Sequence, residues 1–78
     1  MNMARGVVKF FNAEKGYGFI VPKGKVGTVA PDVFVHISDV RRSGLNTLIA
    51  GQVVEYDLYD DRGGRPSAQN LKLIPAPY

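Results

Sequence analysis

Short apolar runs separated by glycine, proline and charged residues organise this chain of 78 residues. Residues 6–12 (GVVKFFN), 16–21 (GYGFIV), 32–36 (DVFVH), 52–59 (QVVEYDLY) and 68–74 (AQNLKLI) each have strand length and are rich in β-branched or aromatic side chains. They predict five strands. Turns fall at residues 13–15, 22–31, 38–51 and 60–66, and the Gly63-Gly64 pair in the last suits a tight hairpin. No helical period is sustained over about ten residues or more, so helix is limited to a short turn before Arg41 that Ser38 can cap. No linker, repeat or low-complexity segment intervenes. The pattern predicts one all-β domain over residues 1–78, with its core within about residues 5–74.

Alternation assigns the faces. In residues 32–36, Val33 and Val35 point to one side and Phe34 and His36 to the other, because successive strand side chains alternate. In residues 16–21, Tyr17 and Phe19 share one side and Gly16, Gly18 and Ile20 the other. If these strands pair antiparallel, Tyr17, Phe19, Phe34 and His36 form one aromatic surface, with the valines and Ile20 in the core. The inverse arrangement buries the rings and exposes the valines. Gly16 and Gly18 oppose it, since two glycines opposite the rings leave the core side thin and permit close backbone packing. Phe10 and Phe11 must diverge, and parity alone does not say which is outward. Val8, Ile20, Val33, Val35, Val53 and Leu71 are the expected core.

Charge adds direction. The net charge is +3, and residues 1–42 hold seven basic against three acidic groups, whereas the remainder holds three against four. A positive half favours a polyanionic partner, with nucleic acid the commonest and an anionic membrane surface next. Phe10, Phe11, Tyr17, Phe19 and Phe34 lie in that half, interleaved with Lys9 and Lys15. That composition stacks bases while neutralising phosphates. The enzyme inventory is poor. One histidine, no cysteine and no nucleophile spaced near a base give neither a triad nor a zinc site. Asp57, Asp60 and Asp61 read as a solvated hairpin end rather than a Mg²⁺ site, and Lys23-Gly24-Lys25 lacks the pattern of a nucleotide-binding loop. Arg62-Gly63-Gly64-Arg65 reads as a turn with no assigned function. Without cysteines the core must suffice alone, and residues 1–5 lack the apolar segment of a secretory signal. A cytoplasmic site is expected.

KGYGFI (residues 15–20) and VFVHIS (33–38), preceded by VKFFNAE (8–14), resemble the two nucleic-acid motifs of the bacterial cold-shock protein family. GLNTLIAGQVVEY (44–56) and GRPSAQNL (64–71) resemble its later loop, fourth strand and closing strand. The resemblance implies a small five-stranded antiparallel β-barrel of the oligonucleotide-binding type that stacks unpaired bases on outward aromatics. Carried onto this chain, it makes Phe10, Tyr17, Phe19, Phe34 and His36 the stacking platform and Lys9 and Lys15 the phosphate contacts. The chain departs from the family at Phe10, where tryptophan is usual, and at Ile37 and Leu45, where aromatics are common. Its 22–31 loop is longer than the family's, and Lys23 and Lys25 there are candidates to extend the phosphate track. The expected partners are single-stranded RNA and DNA, bound by a monomer without cofactor, metal, membrane or small-molecule substrate. The implied activity is that of an RNA chaperone that needs no ATP. The rival readings are a protein-interaction barrel, a duplex-DNA-binding regulator, and an RNA-recognition-motif domain, which needs two helices and the opposite motif order.

Overall fold

A computed structural model describes residues 3–23, 32–60 and 65–74. Five strands, β1 (Met3–Asn12), β2 (Tyr17–Pro22), β3 (Val33–His36), β4 (Val53–Asp60) and β5 (Pro66–Ile74), close into a barrel in the order β1-β2-β3-β5-β4. One helix, α1 (Ile37–Arg42), follows β3. All neighbours are antiparallel except β3 and β5, which run parallel and meet at Phe34 and Ser67. The barrel is the five-stranded one expected, and its single parallel ladder has a topological reason. An odd number of strands cannot alternate direction around a closed ring, so one ladder must be parallel.

Val8, Ile20, Val33, Val35, Val54, Tyr56, Ala68 and Leu71 fill the barrel, and Val40 of α1 and Leu48 of the following loop join them. Val53 is a correction to the expected core. It is half-buried on the outer face, and its neighbour Val54 is the buried one, because β4 pairs Val53 with outward Val7 and Val54 with Gly6. A Val-Val doublet satisfies alternation either way, and only the cross-strand register selects between them.

Two bulges set that register. On β1 the pairing shifts between Val8 and Phe10, so Lys9 is the extra residue and the parity beyond it inverts. Phe10 therefore turns outward, 40% exposed, while Phe11 packs against the core. On β5 the second shift places Asn70 at φ 53°, and its amide donates to the Asp57 carboxylate at 2.7 Å. Ala68 and Leu71, three apart in sequence, consequently both face inward.

Helix α1 begins at a cap other than the one expected. His36 is the N-cap, and its Nδ1 accepts the Ser38 N–H at 3.1 Å. At the other end the Ser43 hydroxyl donates to the Asp39 carbonyl and accepts the Leu71 N–H, both at 2.8 Å, which ties the helix to β5.

Candidate nucleic-acid interface

β2 and β3 pair with Tyr17 opposite His36, Gly18 opposite Val35, Phe19 opposite Phe34 and Ile20 opposite Val33. Ile20, Val33 and Val35 are buried, so Tyr17, Phe19, Phe34 and His36 share the outer face. β1 sets Phe10 directly beside Phe19. Gly18 permits this closeness. A Cβ there would collide with the Phe11 side chain and the β1 backbone, so any larger residue would push β2 away from the bulge. Gly16, at φ 79°, closes the preceding turn by donating its N–H to the Asn12 carbonyl at 2.8 Å.

The rings form one connected cluster. Phe10 lies 5.6 Å from Phe19, Phe19 5.7 Å from Phe34, and Phe34 6.4 Å from His36, between ring centroids. Tyr17 meets Phe10 and Phe19 edge-on, and lies within 16° of parallel to Phe34 at 6.1 Å. Edge contacts of this kind hold rings in place beyond the effect of burial alone. Because its Nδ1 accepts a hydrogen bond, a neutral His36 ring carries its proton on Nε2, which remains a donor.

The two expected phosphate contacts differ. Lys15 is exposed at the turn, and its ammonium has no ion-pair partner among the described residues. The Lys9 ammonium instead sits 3.0 Å from the Asp32 carboxylate. Lys9 is exposed and Asp32 partly so, and surface pairs of this kind are worth at most about 1 kcal/mol, so a phosphate can displace the carboxylate cheaply. Of the loop cations, Lys23 is exposed beside β1, donating its N–H to the Arg5 carbonyl at 2.8 Å. Lys25 lies outside the described residues.

Arg65 is the residue that sequence reasoning missed. Its guanidinium lies 4.3 Å over the Phe34 ring, within cation–π range. The usable signal is topological: Arg65 enters β5 two residues before Ser67, which pairs with Phe34. Asp61, Arg62, Gly63 and Gly64, which the sequence reading assigned to the turn, fall outside the described residues. Asp57 is engaged with Asn70, and among the described residues no cluster of His, Asp or Glu has the makings of a metal site. Ile37 and Leu45 occupy the positions where aromatics were expected. Leu45 packs against the core, whereas Ile37 is half-buried at the start of α1.

The comparisons agree with this geometry. The family model described as 'Cold-shock' DNA-binding domain matches residues 4–74. The "Probable cold shock protein y4cH" of Sinorhizobium fredii is 52% identical over 71 residues, covering 90% of this chain and 97% of its own. The "Cold shock protein CspA" of Rhizobium meliloti is 48% identical over 71 residues with the same coverage. The "Cold shock-like protein CspC" of Shigella flexneri is 43% identical over 74 residues, covering 95% of this chain and all of its own. With its barrel, its two motifs and its full-length relatives in agreement, the chain belongs to the bacterial cold-shock protein family, whose members bind nucleic acid and catalyse no reaction.

Proposed function

We propose that the protein binds unpaired RNA and DNA with little sequence preference and acts as a chaperone of RNA structure without ATP. One observation carries this reading: five rings, Phe10, Tyr17, Phe19, Phe34 and His36, lie in mutual contact on one outer face of the barrel. Bases present π-faces of every sequence, so ring stacking binds strands indiscriminately, at about 1–3 kcal/mol per base. Lys9 and Lys15 neutralise phosphates beside the rings. Binding only the open strand shifts a hairpin equilibrium by mass action, by about 2.7 kcal/mol at a hundredfold excess over Kd. That offsets about two base-pair steps, at a mean of about 1.4 kcal/mol each. The protein acts as a monomer in the cytoplasm, since each barrel carries a complete platform.

A stem-loop RNA labelled with a fluorophore and quencher tests the mechanism. Excess protein lowers its melting temperature, and the Phe19→Ala, Phe34→Ala double variant does so far less. A melting temperature unchanged or raised by the unmodified protein excludes chaperone action.

A further inference from the structure

Beyond Phe19, the outer face of β2 continues to Val21, with Lys23 just past the strand's end, and the neighbouring strands extend both positions into rows. Val21 pairs with Val7, Val7 with Val53, and Val53 with Ile74. These make an apolar row across four strands, none of it fully buried. The next row is charged: Lys23 beside Arg5, Arg5 opposite Glu55, Glu55 opposite Lys72. Arg5 Nε donates to the Glu55 carboxylate at 2.8 Å, so the row holds three cations and a single acidic group that Arg5 already engages. Between the rows lies an open groove of about 220 Å³, lined by Arg5, Gly6, Val7, Lys23, Val53 and Ile74.

We propose that this groove takes the next nucleotide of a strand already docked on the rings, with its base against Val7 and Val53 and its phosphates at Lys23 within the groove and at Lys72, which flanks it in the charged row as Val21 does in the apolar one. The inference rests on the single-strand reading and extends the bound segment past the platform. Continuity supports it, since Val21 is one outward step, about 6.6 Å, from Phe19 on the same strand. Charge supports it too, because the excess cations beside the apolar row suit an anion. A second copy of the chain fits poorly. It would bring like-charged rims together, and four partly covered aliphatic side chains fall far short of the roughly 800 Å² that each partner contributes to a stable interface.

Oligothymidylates of increasing length, titrated against the protein at several salt concentrations, provide the test. Phosphate contacts at Lys23 and Lys72 steepen the slope of log K against log[salt] by about 1.4 once the oligonucleotide reaches the groove, at about 0.7 per contact. The Lys23→Gln, Lys72→Gln variant loses this increment and binds the longer oligonucleotides about tenfold less tightly, yet binds the shortest within about twofold of the unmodified protein. Val7→Glu selects against the longer oligonucleotides in the same way. Arg41→Gln, at an exposed position of α1, controls for the loss of a positive charge away from the groove and shows no length dependence. A loss equal at every length, or one matched by Arg41→Gln, overturns the proposal while leaving the platform intact. Phe34→Ala tests the platform separately: if it binds the shortest oligonucleotides as the unmodified protein does, the single-strand reading fails and the groove assignment with it. A dimer that Val7→Glu dissociates assigns the groove to a second copy and also overturns the proposal.

Discussion

The inner and outer faces of β1, β2 and β3 are built from residues one apart in the chain, and they do unlike things. Val33, Val35 and Ile20 are buried within the hydrophobic core cluster. Phe34, Phe19 and Tyr17, in between, meet one another and solvent, with no core beneath them other than their own strands. Aromatic rings are normally the largest contributors to a small core. On β2 and β3 the larger side chains are outside and the smaller ones inside, so the more aromatic face is not the one that stabilises the fold. On the proposed reading, parity separates stability from binding on these strands, and substitutions on the two faces have separable consequences.

The largest effect is expected from the inner face. Ile20→Ala removes a fully buried side chain and costs about 2–5 kcal/mol of stability, read from chemical denaturation. Variants that remain folded keep their oligonucleotide affinity. On the outer face the pattern reverses: Tyr17→Ala, Phe19→Ala and Phe34→Ala each cost about 1–3 kcal/mol of affinity while folding survives. Three folded variants with undiminished affinity break the comparison.

Much of this separation is legible in the sequence, because period-two alternation in residues 16–21 and 32–36 and the paired glycines fix which side of each strand is apolar filler. What alternation misses are the bulges. Alternation leaves open which of Phe10 and Phe11 is outward, and the extra residue Lys9 decides it by turning Phe10 out and Phe11 toward the core. The role of Val53 was lost for a related reason, as a doublet carries no phase of its own. Arg65 was missed because it lies far in sequence from Phe34, and only the parallel β3–β5 closure brings the two together.

The boundary between the faces can also be sharpened. Ile37→Phe, at the half-buried start of α1 next to His36, extends the ring cluster and raises affinity by about 1 kcal/mol, at the lower end of a base–ring stack. Leu45→Phe is not equivalent. Leu45 packs on the core, so its enlargement changes stability rather than affinity, as paired denaturation and titration measurements will show.

The smallest effect concerns the one fully buried aromatic among the described residues. Tyr56 is 0% exposed, and its hydroxyl has no hydrogen-bond partner among the described residues. Tyr56→Phe therefore raises stability by about 1 kcal/mol, because it removes an uncompensated polar burial. Burial also raises the hydroxyl pKa above its ordinary 10.0. The unfolded chain then releases this proton first, so stability that is complete below pH 10 declines as pH climbs beyond it. Denaturation midpoints across that range should fall less steeply in Tyr56→Phe.

The most direct test compares one oligonucleotide, single-stranded and annealed to its complement, across a salt series. Stacking on the outer rings requires exposed base faces, so the account predicts far tighter binding of the single strand at every salt concentration. With two to four phosphates neutralised, log K should fall with log[salt] at a slope of about −1.4 to −2.8, flattened by about 0.7 in Lys15→Ala. Equal affinity for the single strand and the duplex would contradict the account, since a surface that reads only phosphates has no use for its rings.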